Sequence, residues 1–344
     1  MKHLIFHYIV GLLTASLLST AFTSCTNEAD EPTAAGRTAT IRLNIPMLEQ
    51  DTRVNVAGDE NAIHQLRVII LSQGAQSINQ TFEDLSSGNT ITIENVPVGP
   101  VQMYVIANEK SLGRNYDNLS VLQNEVITVP GTETKKVLIK DENREHFPLR
   151  GSKLTANGLP MSWMNKNLTI DPPTDVPQDI TVYLVRAVAK LNIQMSNALS
   201  TPITIDQMSF GPFFGDQLYL FAEGVLDVPD EASYISKDFP LPQGETITIE
   251  GGQPEQLVLY IYPSFACKNP QENSPYTIGF HTEAGGDYPL MEFVKGGTGA
   301  GALNSIARNT QVNIYATLSA PANVNIDFEV VKWDDKPVEV PSFN

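Results

Sequence analysis

The sequence has very little cysteine, with two in 344 residues, Cys25 and Cys267. Cys25 ends an export-like segment, whereas Cys267 lies in the run "YIYPSFACKNP". If Cys25 is the modified amino terminus of an exported chain, Cys267 has no partner for an internal disulfide. We therefore expect Cys267 to act as a small buried hydrophobic residue. The fold must then be held by its core and by the hydrogen bonds of its sheets.

Basic residues are also scarce. Lys and Arg number 22 against 39 Asp and Glu, which gives a formal net charge of −17 at pH 7. Nucleic-acid binding depends on clustered Lys and Arg that neutralise phosphates, so this composition argues against a nucleic-acid partner. Copies of so acidic a chain repel one another. Any self-assembly must therefore use a specific device that outweighs the repulsion.

The sequence lacks the motifs of common catalytic and metal sites. No HExxH or GxSxG motif occurs, and the histidines outside the first segment stand far apart. The carboxylates at 58–61 and 140–145 lack the alternating spacing of a calcium loop, which favours ordinary turns. The glycine-rich stretch at 296–301 lacks the Lys and the strand-to-helix context of a phosphate loop. We predict that the protein is not an enzyme and uses no metal or cofactor.

Long hydrophobic runs are absent beyond the first segment of the chain. That segment has a basic Lys2, an apolar run at 4–18 and small residues before Cys25, which is the pattern of an export signal. The run is shorter than the about 20 residues that a membrane-spanning helix needs. "AFTSC" resembles a bacterial lipoprotein box, in which the Cys becomes the lipidated amino terminus. We predict a signal peptide at 1–24 and a lipid on Cys25, the alternative being ordinary signal cleavage with an incidental thiol.

The rest of the sequence is rich in alternation with a period of two. "TIRLNIPM" puts Ile41, Leu43, Ile45 and Met47 on one face of an extended segment. Runs such as "QLRVIIL" and "VQMYVIAN" are richer in aliphatic residues, as expected for strands that are buried on both sides. Val, Ile, Thr and Tyr are abundant, and Gly or Pro recurs between the runs. This pattern indicates an all-β protein of antiparallel strands.

Proline and acidic residues mark the predicted boundaries. The segment "NLTIDPPTDVPQDITVYL" indicates a stiff exposed joint between two domains. The polar segment "TNEADEPTAAGRT" after Cys25 indicates a flexible tether. We predict two antiparallel β-sandwiches in tandem. The predicted division is a signal peptide at 1–24, a tether and first strand at 25–53, and sandwiches at 54–175 and 176–344.

Several segments, taken in their order along the chain, carry a resemblance to a protein family. They are "TATIRLNIPM" (38–47), "TRVNVAGDENAIHQLRVIIL" (52–71), "NGLPMS" (157–162), "VYLVRAVAKLNI" (182–193), "LYIYPS" (259–264), "IARNTQVNIYATL" (306–318) and "FEVVKWD" (328–334). With these segments behind a lipoprotein box, the chain resembles the fimbrillins, the type V pilins of Bacteroidetes. The resemblance covers nearly the whole chain, and the order of the segments is more specific than any one of them.

The resemblance implies the fold and the processing of a pilin. Fimbrillins are built from transthyretin-like sandwiches, are exported as lipoproteins, and are cut by a trypsin-like protease after an Arg behind the first strand. In this chain the cut would fall between Arg53 and Val54, at an exposed joint of the kind that proteases reach. It would remove the strand within 38–47 together with its apolar face. Arg37 is a competing cut site, but a cut there would leave the strand attached.

The resemblance also implies that a strand from another subunit fills the vacated groove. In this chain the donor would be the tail "DDKPVEVPSFN", because the family's tails serve this way. Val338 and Val340 share one side of an extended tail, and Phe343 lies on the other side unless a bulge or Pro341 turns it inward. The prolines disfavour a central strand and are compatible with edge pairing. The alternative is a frayed terminus, or an edge strand docked on the same molecule.

Three functions are consistent with these expectations. The first is a shaft subunit of a surface fimbria at the outer membrane, whose partners are other pilin subunits, the processing protease and, before the cut, the membrane. The second is an uncut fimbrial anchor, accessory or tip lipoprotein. The third is a surface glycan-binding lipoprotein that uses "GPFFGDQLYLF" or "YIYPSF" as an aromatic platform, although core packing explains these rings better. A removable strand combined with a donor tail favours the shaft subunit.

Replacement of Cys25 tests the predicted lipidation. We expect Cys25→Ala protein to lose fatty-acid labelling and to fail to reach the outer membrane, because the acceptor thiol is gone. Metabolic labelling and membrane fractionation measure the two effects. Cys267→Ala is the matched control and should keep its label. Unchanged labelling and location of the Cys25→Ala protein would contradict the prediction.

Overall fold

The computed structural model describes residues 37–46, 58–73, 75–85, 90–224, 226–241, 245–266, 274–282, 287–292, 302–319 and 324–333. Several predicted features lie outside these ranges. They are the signal peptide, most of the tether, Cys25, Met47, Arg53, Val54, Cys267, the stretch at 296–301, and the donor residues Val338, Val340 and Phe343. No helix within the described ranges is long and apolar enough to cross a membrane.

Short strands form nearly all of the regular structure. Those of the first half are β1 Thr38–Asn44, β2 Ile63–Ser72, β3 Ala75–Leu85, β4 Thr90–Pro97, β5 Gly99–Ala107, β6 Val126–Thr128, β7 Lys135–Lys140, β8 Leu149–Arg150, β9 Met161–Ile170, β10 Gln178–Thr181 and β11 Val185–Arg186. Those of the second half are β12 Ala189–Asn197, β13 Ile203–Gly215, β14 Gln217–Tyr219, β15 Tyr234–Pro240, β16 Ile247–Ile249, β17 Glu255–Ile261, β18 Thr277–Thr282, β19 Asp287–Glu292, β20 Thr310–Leu318 and β21 Val324–Lys332. The described helical segments are the short α1 (Leu119–Asn124) and two 3₁₀ turns, Glu109–Leu112 and Gly151–Lys153. The prediction of an all-β protein is confirmed.

The first sandwich consists of sheet A, with strand order β10-β1-β4, and sheet B, with strand order β11-β9-β5-β2-β3. Alternate residues of each strand turn inward, so Leu66, Val68 and Ile70 of β2 share a buried core with Val105 of β5. Ile69, on the opposite face of β2, is buried in a different cluster. The aliphatic run "QLRVIIL" is therefore buried on both faces, as predicted.

The second sandwich consists of sheet C, with strand order β21-β20-β12-β17-β8, and sheet D, with strand order β15-β13-β18-β19 and β16 beside β13. Phe210, Phe213 and Phe214 of β13 pack together, with ring centroids 5.6 to 6.3 Å apart. These rings share a buried core with Leu191 and Ile193 of β12. The segment "GPFFGDQLYLF" thus contributes core residues, and this confirms core packing over an exposed platform.

A third apolar cluster joins the two sandwiches. Ile69 and Ile106 contribute to it from sheet B, and Val258 and Tyr260 contribute from sheet C. Ile139 contributes from a small sheet with strand order β14-β7-β6. The central strands β2, β5 and β17 are therefore covered on both faces, which explains why they carry so few exposed aliphatic residues.

Two strands near the predicted division between 175 and 176 pair across it. Strand β10 follows that division, but it pairs in parallel with β1 of sheet A. Strand β8 precedes the division, yet it pairs with β17 of sheet C. Ile180, Val182 and Leu184 point into the first core, where they are buried. The burial of these three apolar side chains keeps this part of the chain in the first sandwich.

The loop around 140–148 is a turn organised by a buried carboxylate. Asp141 accepts hydrogen bonds from the backbone N–H groups of Glu145 (2.9 Å), His146 (3.1 Å) and Phe147 (3.3 Å) and from the Tyr262 hydroxyl (3.2 Å). Burial alone would raise the pKa of Asp141, but the backbone N–H donors and His146 outweigh it and lower the pKa. Within the described residues, no group of three or more His, Cys, Asp or Glu is arranged to hold a metal ion.

Replacement of Asp141 by Asn should lower the free energy of unfolding at pH 7 by about 2–3 kcal/mol, because the charged acceptor of several donors is lost. A carboxylate with a lowered pKa stabilises the fold above its unfolded pKa of about 3.9, and this stability is lost as the pH falls through the folded pKa. Urea unfolding at several pH values should therefore show the difference shrinking below about pH 4. Glu142→Gln, on the exposed neighbour, is the control. A difference that is independent of pH would contradict this account.

Candidate functional site

Strand β1 is the middle strand of sheet A. It pairs antiparallel with β4, from Thr38 opposite Pro97 to Asn44 opposite Thr90. On its other side it pairs in parallel with β10, where Asn44 lies opposite Thr181. Because both neighbours bond to β1, its removal would leave the facing edges of β4 and β10 with unpaired N–H and C=O groups. Because β1 precedes every other described strand, its removal would break no crossover connection.

The apolar face of β1 fills the core of the first sandwich. Ile41 and Leu43 have no exposed area, and Ile45 is 5% exposed. All three belong to the core cluster between sheets A and B. At about 1.5–3 kcal/mol for each buried side chain, this face contributes roughly 5–9 kcal/mol to holding the strand. Met47, the last residue predicted for this face, lies outside the described residues.

The outer face of β1 is polar. Arg42 Nε lies 3.2 Å from Asp179 Oδ1, and Asn44 Nδ2 donates to the same oxygen at 3.2 Å. Thr90 Oγ1 donates to Asn44 Oδ1 at 3.3 Å. These groups are partly exposed, so each contact contributes only about 0–1 kcal/mol. The apolar face and the backbone pairing therefore hold β1 in place.

A buried carboxylate, Glu60, follows β1 in the sequence and lies against sheet C. Its Oε1 accepts a hydrogen bond from the Tyr260 hydroxyl at 2.6 Å, and its Oε2 accepts one from Trp333 Nε1 at 3.1 Å. Lys190 Nζ lies 2.9 Å from Oε1 and 3.0 Å from Oε2. Burial and the nearby Glu60 carboxylate raise the pKa of Tyr260. The Tyr260 hydroxyl therefore stays protonated as a donor.

The Trp333 ring contacts both an aromatic residue and a cation. Its plane is within 3° of the Tyr260 ring, with centroids 5.8 Å apart. The guanidinium carbon of Arg186 lies 4.6 Å from the Trp333 centroid, which is within cation–π range. Arg186 also donates to Asn309 Oδ1 at 3.0 Å and to Asn61 Oδ1. The turn that contains Asn61 is thus joined to the end of β21.

We call Glu60, Arg186, Lys190, Tyr260 and Trp333 the Glu60 cluster. All five residues are buried. Each lies in one of the segments that carry the family resemblance, but the sequence did not indicate that they meet. One signal was available, because Arg186 and Lys190 interrupt an apolar segment and a buried cation requires a partner. The sequence pattern does not show which distant carboxylate pairs with these cations.

An open cleft of about 730 Å³ is lined by Trp163, Tyr183, Phe221 and Lys332, among others. Tyr183 is 64% exposed. Phe221 is buried and packs edge-on against Tyr104, with centroids 5.2 Å apart. This cleft is an aromatic surface that the glycan-binding alternative could use, and only Phe221 comes from the segments considered for a platform.

Comparisons with known proteins identify the fold. No family model and no curated protein matches the sequence. Among solved structures, the tip fimbrial protein Mfa3 from Porphyromonas gingivalis, solved with a C-terminal truncation, has a TM-score of 0.51 at 14% identity, over 86% of this chain and 100% of that chain. This chain has the fold of a fimbrial protein.

Two candidate cell adhesion proteins share this fold. One, from Parabacteroides distasonis, has a TM-score of 0.50 at 13% identity, over 87% of this chain and 97% of that chain. The other, from Bacteroides eggerthii, has a TM-score of 0.51 at 13% identity, over 87% of this chain and 97% of that chain. Because each likeness covers 87% of this chain, it extends over both sandwiches.

Replacement of Leu43 tests how firmly the core holds β1. We expect Leu43→Ala to lower the free energy of unfolding by about 2–5 kcal/mol, because it leaves a cavity in a fully buried site. Denaturant unfolding measures the loss, and hydrogen exchange should show faster exchange at the β4 and β10 amides that face β1. Arg42→Gln, on the outer face of the same strand, is the control and should change stability little. Equal effects of the two variants would show that the apolar face does not hold the strand.

Proposed function

We propose that the protein is a structural subunit of a surface fimbria and belongs to the fimbrillins, the type V pilins. The observation that supports this most directly is the position of β1, the first described strand, in the middle of sheet A of a fimbrial-protein fold. A strand in that position can be withdrawn without breaking the rest of the fold. The function of the protein is to assemble into the fimbria, and the protein performs no catalysis.

Maturation begins with export and cutting. The chain is exported as a lipoprotein on Cys25 and is held at the outer membrane until a trypsin-like protease cuts between Arg53 and Val54. The cut separates residues 25–53, including β1, from the mature subunit. The groove between β4 and β10 is then open, and the core side chains that packed against Ile41, Leu43 and Ile45 are exposed.

Assembly follows from filling that groove. The tail of another subunit supplies Val338 and Val340 at the two-residue spacing of the lost strand, and a bulge or turn at Pro341 brings Phe343 to the same side as a further apolar contact. Main-chain hydrogen bonds to the edges of β4 and β10 fix its register. Burial of apolar side chains at about 1.5–3 kcal/mol each outweighs the repulsion between acidic subunits. Because the groove and the tail are different surfaces, the contact is heterologous and extends into a fibre.

The likeness to a tip fimbrial protein favours one alternative, an accessory subunit at the tip or the base. A tip subunit needs the groove but not a donor tail, and a basal anchor keeps both its lipid and β1. The two sandwiches would be the same in each role. The roles differ in whether the cut occurs and whether the tail is donated.

Replacement of Arg53 tests the proposal. Arg53→Ala should stop maturation and leave a folded monomer, because β1 stays in its groove and no donor can enter. Gel electrophoresis of cell-surface protein after mild heating in detergent should then show no ladder of polymers. Arg37→Ala is the matched control and should polymerise normally. Normal ladders from Arg53→Ala, or their loss in Arg37→Ala alone, would overturn the assigned cut site.

A further inference from the structure

The Glu60 cluster lies just after the proposed cut in the sequence. Glu60 is held by donors on β12, on β17 and at the end of β21. The turn beside it is also tied, since Asn61 accepts from Arg186 and Ala62 O accepts from Asn108 Nδ2 at 2.9 Å. The turn at 60–62, which follows the proposed cut, is therefore fixed to the fold by polar contacts.

The same cluster fixes the point from which the tail leaves. Trp333 is the last described residue, and its side chain donates to Glu60. Its backbone N–H also approaches Asn309 O at 3.4 Å. The Glu60 carboxylate thus joins the segment after the cut to the residue that precedes the donor tail.

Before the cut, two attachments restrain the turn at 58–61. Upstream, the chain is held by β1 in its groove, and the turn itself is held by Glu60. Strand β10 runs parallel to β1, and the chain continues from its end at Thr181 to Arg186 in β11. Cutting and the loss of β1 remove the upstream attachment. The Glu60 cluster then restrains the new amino-terminal segment.

We propose that the Glu60 cluster is a clamp that keeps the start of the mature chain and the base of the tail in place when β1 leaves, an inference that rests on the proposed function. Glu60 acts as a positioning residue. Strand β2 begins shortly after it and is paired on both sides, with β3 and β5. Fraying that spread into β2 would open the first core at Leu66. The clamp confines the opening to the groove of β1.

The clamp also determines where tension enters the subunit. In a fibre, a tail held in a neighbouring groove pulls on Trp333. The stacked Tyr260 ring and the Glu60 carboxylate pass that pull to the centre of sheet C, because β12 and β17 are interior strands. Without these contacts the pull would act on β21, which is an edge strand paired only with β20 among the described strands.

Hydrogen exchange of the full-length precursor, before and after limited trypsin digestion, tests the clamp. Mass analysis identifies the molecules that are cut after Arg53. In the wild type, we expect digestion to leave exchange over 58–66 and 326–333 unchanged. In digested Glu60→Gln protein, exchange in both segments should be about tenfold or more faster than in digested wild type. In the undigested variant the increase over wild type should be much smaller, because β1 still restrains the uncut chain.

Two further variants keep the test decisive. Trp333→Phe retains an aromatic ring but loses the N–H donor, so it should show the same dependence on cutting if Glu60→Gln does not fold. Asp59→Asn, at the exposed neighbour, should behave as the wild type. Fast exchange over 58–66 in the cut wild type, or an equal effect of Glu60→Gln before and after the cut, would overturn the clamp. Exchange in β4 and β10 tests separately whether the groove opens after the cut. Failure of the proposed function, in which these strands stay protected, is therefore distinguishable from failure of the clamp.

Discussion

The pairing of one buried carboxylate with its donors is the constraint on which the arrangement of this protein depends. Glu60 and Lys190 are both removed from solvent, and each would be costly without the other. Their pairing brings the turn before β2 to the middle of sheet C. Trp333 and Tyr260 complete the hydrogen bonds of the carboxylate. One buried carboxylate therefore joins the turn before β2 to the end of β21.

The hydrophobic pattern predicted much of the fold because side-chain alternation is local. Ile41, Leu43 and Ile45 lie on one buried face, as "TIRLNIPM" indicates. The prolines at the exposed joint do not reveal which sheet receives the next strand. β10 returns to sheet A through pairing with β1, a partner far away in the sequence. Pairing between strands that are far apart in the sequence depends on tertiary packing.

The candidate site shows the same division between local and distant information. The apolar face of β1 could be predicted residue by residue. The Glu60 cluster could not, because "GDEN" has the composition of a solvated turn and its carboxylate is buried only when β12, β17 and β21 assemble around it. Its buried cations were visible in "VRAVAK", but their distant partners were not. Charged residues inside apolar strands are thus the most informative departures from the pattern.

The two neighbours of β1 have a geometric consequence for any strand that replaces it. β4 runs antiparallel to β1 and β10 runs parallel to it, so β4 and β10 point in opposite directions. A strand placed between them meets one parallel and one antiparallel neighbour, whichever way it enters. The backbone ladder of the groove therefore has no preferred polarity, and the spacing and size of the inward side chains must select both the occupant and its direction.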